Sequence, residues 1–224
     1  MSNLRHLGII ADGNRRWAKE NGLPKIEGHT RGLKTIETLV AAAAEAGIPY
    51  VTFFVFSTEN WGREKTEVSH IMKLAETKIL KMAQKMADHN IRLLILGSKQ
   101  KVDQTLISLA QKAEEITAEC TGTTICFCFN YGGEQEIVEA ANKVVKEGQA
   151  ITPESIRQHL YHPEVPDVDM VVRTSGEERI SGFMLWRAAY AEFMFIKKYF
   201  PEMNAEDIKE ILAEYDKRNR RFGK

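Results

Sequence analysis

The chain has 224 residues, of which 43% are hydrophobic and 28% are charged, and its 31 basic and 31 acidic residues give a formal net charge of zero. These values are typical of an ordinary globular domain, so we expect one domain over residues 1–224. The balanced charge excludes a nucleic-acid binder held by bulk charge, but it allows a local basic pocket for a small anion.

Short apolar runs alternate with longer helical patterns along the chain. In chain order the pattern predicts a strand over 7–11, a helix over 35–46, a strand over 50–56, a helix over 68–88, a strand over 91–96, a helix over 102–117, a strand over 124–129, helices over 135–146 and from 153, strands over 170–172 and 193–196, and a helix over 205–217. Apolar strands separated by helices indicate an α/β fold, with a mostly parallel central sheet flanked by helices.

Membrane spans and metal-binding cysteines are not expected. No run reaches the roughly 18 apolar residues of a membrane span, and the N-terminus does not resemble a signal peptide. Cys120, Cys126 and Cys128 form no CxxC pair, so we expect no zinc site. Cys126 and Cys128 lie two apart in an apolar run and are expected to be buried thiols. We therefore predict a cytoplasmic protein.

Polar, charged and glycine residues follow four of the predicted strands. Ligands of parallel sheets bind beyond the carboxyl ends of the strands, so these segments are expected to form one site. They are ADGNRRW (11–17), FSTENWGR (56–63), NYGGEQE (130–136) and RTSGEERISG (173–182).

The segment after the first strand combines a carboxylate with features that suit an anion. Gly13 allows close approach of the backbone, and Arg15 and Arg16 supply charge suited to phosphate. Asp12 would repel a phosphate unless a cation lay between them, which points to Mg²⁺. An Asp-Gly turn before a solvated helix explains the same residues, and the GxxxxGK[ST] nucleotide motif is absent.

The segment after the fifth strand is a second candidate phosphate site. Arg173 and Arg179 flank Ser175 and Gly176, and Ser181 follows. The alternative is a surface loop in which Arg179 pairs with a neighbouring glutamate. Two anion sites and one acid suggest an enzyme that joins two phosphorylated substrates, although a kinase-like or nucleotidyl-transfer enzyme fits as well.

The segment after the second strand offers neutral hydrogen-bonding groups. Ser57 and Asn60 could orient a substrate or pass a proton, although each is a poor base alone. Trp61 lies between polar residues at the strand end, so a place in the core and a place in a pocket wall are about equally expected.

The long motifs of the chain resemble those of the cis-prenyltransferase family, and most closely those of its undecaprenyl diphosphate synthases. The resemblance runs from His6 to Gly223. It is carried, in order, by HLGIIADGNRRWAKENG, GHTRG, FSTENWGR with a following TEV, NYGG, RTSGEERISGFMLW and AYAEF.

This resemblance implies an enzyme that extends an allylic diphosphate, often farnesyl diphosphate, with isopentenyl diphosphate units in the cis configuration. It implies Mg²⁺, a homodimer, transient membrane contact for product release, and undecaprenyl diphosphate as the product. A short- or medium-chain synthase and a non-catalytic partner subunit remain as alternatives. Such subunits tend to lose the first aspartate and the arginine pair, which this chain keeps.

The resemblance also assigns site residues. Asp12, Ser57 and Asn60 are the expected catalytic residues, and Asp12 and Glu192 are the expected metal ligands. Residues assigned to the substrates are Gly13, Asn14, Arg15, Arg16, Trp17, Lys25, His29, Ser57, Thr58, Glu59, Trp61, Arg63, Arg173, Arg179 and Ser181.

A hydrophobic tunnel for the growing chain is expected between the helices and the sheet. A plain packed core would use the same apolar residues. The candidates are Leu33, Ile36, Val40, Ile71, Met72, Ala75, Ile79, Met82 and Met86.

Four residues and the C-terminal tail bear on substrate choice. Arg15 replaces a glycine usual in the family, Lys25 an arginine and Glu64 a proline, while Leu33 stands where long-chain enzymes often carry a smaller residue. The RFG sequence at 221–223 resembles a motif that reaches a diphosphate site across the dimer.

Overall fold

A six-stranded parallel sheet forms the centre of the computed structural model, which describes residues 2–218. Each pair of neighbouring strands is parallel, and the spatial order is third, fourth, second, first, fifth, sixth. The strands are β1 (His6–Ile10), β2 (Tyr50–Ser57), β3 (Arg92–Leu96), β4 (Thr124–Tyr131), β5 (Met170–Arg173) and β6 (Glu192–Phe195).

Seven α-helices flank this sheet within the described residues. They are α1 (Asn14–Glu20), α2 (Lys25–Glu45), α3 (Lys65–Asp88), α4 (Gln104–Ile116), α5 (Gly133–Lys146), α6 (Pro153–His159) and α7 (Ala205–Asp216), with short 3₁₀ helices at Thr58–Gly62 and Phe200–Glu202. Residues of α2, α3, α4 and α7 share one apolar cluster with the sheet. Residues between 160 and 191 pack on the other face.

Alternation along the strands explains why both faces are apolar. In β1, Leu7 and Ile9 belong to the cluster beneath α2 and α3, whereas Ile10 belongs to the opposite cluster. Cys126 and Cys128 also lie in that opposite cluster as free, buried thiols, as expected. The predicted α/β fold class is confirmed.

The second helix begins ten residues earlier than its apolar periodicity predicts. Its first turns contain Gly28 and Gly32, which lower helix propensity and blur the periodic signal. Both glycines lie against Asn14 of α1: a Cβ on Gly28 would stand 2.1 Å from the Asn14 carbonyl oxygen. Close packing of α1 on α2 therefore requires glycine here and overrides the local preference.

Strand register brings three strand ends to one edge of the sheet. Ile10 of β1 lies beside Phe54 of β2 and Arg173 of β5. The segments after these strands therefore begin next to one another. Within residues 2–218, no helix is both long and apolar enough to cross a membrane.

Candidate functional site

A cleft of about 910 Å³ lies at this edge of the sheet. Its walls come from the segments after β1, β2 and β5 and from the start of α2. Thirteen of the predicted site residues border it: Asp12, Gly13, Asn14, Arg15, Arg16, Lys25, His29, Ser57, Asn60, Arg63, Arg173, Arg179 and Ser181.

The turn after β1 is held from below by a buried threonine. The Thr174 hydroxyl accepts a hydrogen bond from the Asp12 N–H at 2.9 Å and donates to the Asp12 carbonyl at 2.6 Å. Gly13 has φ 102°, and a Cβ there would stand 2.6 Å from the Tyr199 ring. A larger residue would be strained as well as crowded, so the turn requires glycine.

Asp12 lies between two arginines. Its Oδ2 is 2.8 Å from Nη2 of Arg173, and its Oδ1 is 3.2 Å from Nη2 of Arg16. Partial burial acts to raise the pKa of Asp12, but the hydrogen bond and charge of Arg173, helped by Arg16, outweigh it and lower the pKa. Asp12 is therefore ionised at neutral pH.

The segment after β5 packs its arginines against the turn after β1. Arg173 is almost fully buried and donates to the Ser181 hydroxyl at 2.8 Å and to the Arg179 carbonyl. Arg16 donates to the Ser175 hydroxyl at 2.6 Å and pairs with Glu177 at 2.7 Å. The two predicted phosphate sites are thus two walls of one cleft.

A capping arrangement fixes Ser57 and Asn60 relative to each other. The Ser57 N–H donates to Oδ1 of Asn60 at 3.2 Å, and the Ser57 hydroxyl accepts from the Asn60 N–H. Both residues border the cleft. The short 3₁₀ helix that they begin therefore holds two neutral polar side chains beside the arginines.

Glu67 is a residue of the site that the sequence reasoning missed. Its side chain is only 3% exposed, and three predicted site residues converge on it: His29 at 3.0 Å, Arg63 at 3.1 Å and Arg15 at 3.6 Å. Burial acts to raise the pKa of Glu67, but these partners outweigh it and lower the pKa. Burial lowers the pKa of His29, although the hydrogen bond that His29 donates to Glu67 acts to raise it.

An apolar cavity of about 510 Å³ opens from the cleft between α2, α3 and the sheet. The cleft and the cavity share Ala11, Asn14, His29 and Val55 in their walls. Six of the predicted tunnel residues line the cavity: Leu33, Ile36, Ile71, Ala75, Ile79 and Met82. Val40 and Met86 instead belong to the packed core.

The distance along α2 and α3 from the level of His29 shows which residues line the near end of this cavity and which line its far end. Leu33 follows His29 by one helical turn, or about 6 Å. Met82 lies fifteen residues beyond Glu67 on α3, or about 22 Å from the level of His29. Leu33 therefore lines the cavity near its junction with the cleft, and Met82 lies at the far end.

Four residues assigned to the substrates do not border the cleft. Trp17 lies two positions from Arg15 on α1, which places it on the opposite side of that helix. Thr58 hydrogen-bonds to Glu59, which is exposed. Trp61 packs edge-on against Phe56 and donates to a neighbouring strand end. The structure thus gives these four no direct place in the cleft walls.

The Trp61 partner is Asn130, which is buried at the end of β4. Its Oδ1 accepts from the indole N–H at 2.7 Å, and its Nδ2 donates to the carbonyls of Ser98 and Gln100, each at 2.7 Å. Trp61 therefore joins the segments after β2, β3 and β4. Of the two roles considered from the sequence, the structure favours packing.

Glu192 lies at the wrong end of its strand to share a metal with Asp12 in one chain. It begins β6 in register with Met170, whereas Asp12 follows the opposite ends of these strands. Arg218 pairs with Glu192 at 3.2 Å. Asp12 and Glu192 therefore do not meet within one chain, and the assignment of Glu192 as a metal ligand stays a prediction.

The carboxylates of the cleft do not form a complete metal site by themselves. Within the described part of the chain, no group of three or more His, Cys, Asp or Glu side chains is placed to hold a metal. Mg²⁺ commonly combines one or two carboxylates with water and substrate phosphates. Asp12 therefore fits Mg²⁺ as a ligand shared with a bound diphosphate. The tail segment 221–223 lies outside the described residues.

Known proteins resemble this chain over its whole length. The family model described as "Putative undecaprenyl diphosphate synthase" matches residues 10–223. Isoprenyl transferase from Thermotoga maritima is 43% identical over 98% of this chain and 96% of its own, and that from Agrobacterium fabrum is 42% identical over 97% and 91%.

Solved structures resemble it as well. Lavandulyl diphosphate synthase from Lavandula x intermedia, in complex with dimethylallyl diphosphate, has a TM-score of 0.94 at 31% identity, covering 99% of this chain and 98% of that chain. A probable undecaprenyl diphosphate synthase from Campylobacter jejuni has a TM-score of 0.85 at 31% identity, with full coverage of both chains.

Proposed function

The chain belongs to the undecaprenyl diphosphate synthase family of prenyltransferases, and we propose that it extends farnesyl diphosphate with isopentenyl diphosphate units to give undecaprenyl diphosphate. The observation that carries this proposal is the direct junction between an arginine-rich cleft and a deep apolar cavity. A diphosphate headgroup suits the first and a growing hydrocarbon chain suits the second. His29 and Asn14 lie in the walls of both, where head and chain would meet.

The two walls of the cleft give each diphosphate its own cations. The turn with Arg15 and Arg16, together with Lys25, would bind the allylic diphosphate. Arg173, Arg179 and Ser181 would bind isopentenyl diphosphate. Two anions in one cleft bring the reacting carbons together, and this positioning supplies a large part of the rate enhancement.

Condensation breaks the allylic C–O bond, and diphosphate leaves with the electron pair. The double bond of isopentenyl diphosphate forms the new C–C bond, and a proton is then lost to the departing diphosphate. Arginines beside the leaving group stabilise its developing negative charge. Ser57 and Asn60 would orient the diphosphate that receives the proton, and the apolar cavity excludes water from the electron-poor carbon.

Asp12 is the residue proposed to hold Mg²⁺, together with diphosphate oxygens. The bound ion would supply charge neutralisation at the departing diphosphate. Arg173 and Arg16, which now hold Asp12, would turn to phosphate oxygens as the substrates bind. Within one chain only Asp12 of the two predicted ligands borders the cleft, and Glu192 stays a predicted ligand.

A homodimer is proposed through the free edge of β6. This strand pairs only with β5 within the described residues. Tyr190 before it is 75% exposed, and the rings of Phe193 and Phe195 stack beside each other. An unpaired edge with exposed aromatic side chains is a surface that a second copy would cover. Transient membrane contact is proposed only for release of the apolar product.

Incubation with farnesyl diphosphate, labelled isopentenyl diphosphate and Mg²⁺, followed by product sizing, tests the proposal. We expect products that reach eleven isoprene units. A ladder that stops at a few units would establish the short- or medium-chain alternative. Absence of any condensation by the folded protein would favour the partner subunit, although Asp12, Arg173 and Arg179 all meet in the cleft.

A further inference from the structure

A single buried carboxylate organises one wall of the cleft. Glu67 lies in the first turn of α3, and its side chain is 3% exposed. The three cationic or titratable groups around it come from three different segments. Arg15 belongs to α1, His29 to α2, and Arg63 to the segment before α3.

The two oxygens of the Glu67 carboxylate differ in their contacts. Oε1 is shared by Nε2 of His29 at 3.0 Å and Nη1 of Arg63 at 3.1 Å. Oε2 is buried and accepts no hydrogen bond within the described residues, while Nε of Arg15 lies 3.6 Å away. Most buried polar atoms in native proteins have a hydrogen-bond partner, so the unpaired Oε2 calls for an explanation. The open Oε2 leaves room for Arg15 to move closer when a ligand binds.

Without this carboxylate, the neighbouring groups would repel one another. Burial lowers the pKa of Arg63, and the nearby charge of Arg15 lowers it further while Glu67 raises it. His29 faces Glu67, Arg63 and His70. One negative charge therefore allows several positive groups to stand together at the place where cleft and cavity join.

The hydrogen bond to His29 also selects one ring nitrogen. Nε2 is engaged by the carboxylate, so in the neutral ring Nε2 carries the proton and Nδ1 is left for a ligand. A carboxylate that fixes the tautomer and orientation of a histidine is a common arrangement in functional sites.

We propose that Glu67 is a positioning residue, which holds Arg15, His29 and Arg63 as a preassembled wall for the diphosphate of the substrate. The inference rests on the proposed function for the identity of that ligand. Glu67 does not touch the diphosphate. It acts by keeping three groups from three segments in one geometry before the ligand arrives.

Three variants test this role. Glu67→Ala removes the carboxylate, and Glu67→Gln keeps an acceptor of similar size without charge. Glu76→Gln is the matched control, because Glu76 lies on the same helix, forms its own ion pair with Lys73 at 3.3 Å, and does not border the cleft. Thermal unfolding of each variant shows first whether it is folded.

Binding of inorganic pyrophosphate, measured by calorimetry, is the principal readout, because it requires no turnover. We expect Glu67→Ala to weaken binding by about 10- to 100-fold, the range for loss of a charge-assisted contact. Glu67→Gln should fall between Glu67→Ala and the parent protein, and Glu76→Gln should bind like the parent. KM for both substrates should rise in parallel with the dissociation constant.

The ¹⁵N signals of His29 give a readout that mere stability would not move. The parent protein should show a proton on Nε2, and this preference should disappear in Glu67→Ala. Unchanged pyrophosphate affinity and an unchanged His29 tautomer in a folded Glu67→Ala or Glu67→Gln protein would overturn the inference. If pyrophosphate binding depends on Glu67 but no condensation occurs, the proposed function fails and the positioning role stands.

Discussion

Replacing Asp12 separates its two roles, as a partner of buried Arg173 and as the proposed ligand of Mg²⁺. Arg173 has a side chain that is 5% exposed, and its Nη2 lies 2.8 Å from Asp12. Asp12→Ala removes both the charge and the acceptor. Asp12→Asn keeps an acceptor for Arg173 but loses the negative charge that a metal ion requires.

The two variants should differ in stability. Breaking a buried ion pair by removing one partner costs about 3–5 kcal/mol. The lower end, about 3 kcal/mol, applies here because Asp12 is 28% exposed and Ser181 still binds Arg173. For a domain of this size that corresponds to a fall of about 6–12 °C in melting temperature. Asp12→Asn should cost about 1 kcal/mol, the difference between a hydrogen bond to a charged acceptor and an ordinary one.

Both variants should nevertheless lose turnover together. Loss of one preorganised electrostatic contact to the leaving group lowers the rate by about 10²–10³-fold. Differential scanning calorimetry gives the melting temperature. Initial rates over a range of Mg²⁺ concentrations, measured well below that temperature, give the activity without interference from unfolding.

The comparison has one decisive outcome for the metal assignment. Turnover of Asp12→Asn within tenfold of the parent protein, at the same Mg²⁺ dependence, would refute Asp12 as the metal ligand. A rate loss in Asp12→Ala alone would instead assign the effect to the displaced Arg173.

Three further predictions concern the cavity, stability and the cleft mouth. Met82→Ala should lengthen the products seen by mass spectrometry, whereas Leu33→Ala near the junction should change them less; the reverse order would move the floor to Leu33. His6 is fully buried, and burial lowers its pKa to about 4. Because the unfolded state binds the proton first, stability in urea should fall by about 2.5 kcal/mol from pH 7 to pH 4.5, and a flat profile would contradict this. Glu64→Gln should free Lys25, now 2.9 Å away, and lower KM for the allylic diphosphate a few-fold; an unchanged KM would show that the pair does not compete with substrate.

The position of the site followed from the sequence because it depends on topology alone. Polar segments after parallel strands lie at one edge, and the register of Ile10 with Phe54 and Arg173 brings three of the four predicted segments together. The fourth segment, 130–136, does not border the cleft, so that part of the expectation was wrong. Side-chain direction did not follow, since it depends on local packing. The sequence favoured neither a core position nor a pocket position for Trp61. The hydrogen bond that its indole N–H donates to Asn130 shows that it packs against the neighbouring strand ends.

Residues that act through other residues were the hardest to find. Glu67 stands four positions after Arg63, a spacing that favours an ion pair on a helix. The first turn of α3 is polar, however, so apolar periodicity placed the start of the helix at 68 and left Glu67 outside it. The role of Thr174 could not be predicted either, because its hydroxyl contacts the backbone of Asp12, which is far away in the sequence.

Resemblance assigns a role to Glu192 but does not place it in the fold. The motif around Glu192 matches the family, yet residue type says nothing about which end of a strand the residue occupies. The pairing of Glu192 with Met170 places it some three residues, or about 10 Å, from the edge that carries Asp12. Register, which motifs do not encode, separates Glu192 from Asp12 within this chain.

A chain of zero net charge can gather five arginines in one cleft because each of these arginines has a carboxylate beside it. Asp12 pairs with Arg173, and Glu67 with Arg63. Such pairs keep the arginines close together and oriented before any substrate arrives, which reduces the ordering required on binding. They also mean that a diphosphate must compete with protein carboxylates. Asp12 would be the residue that holds a divalent cation brought in with the diphosphate, and the charge of that ion would ease this competition when Arg173 turns to phosphate.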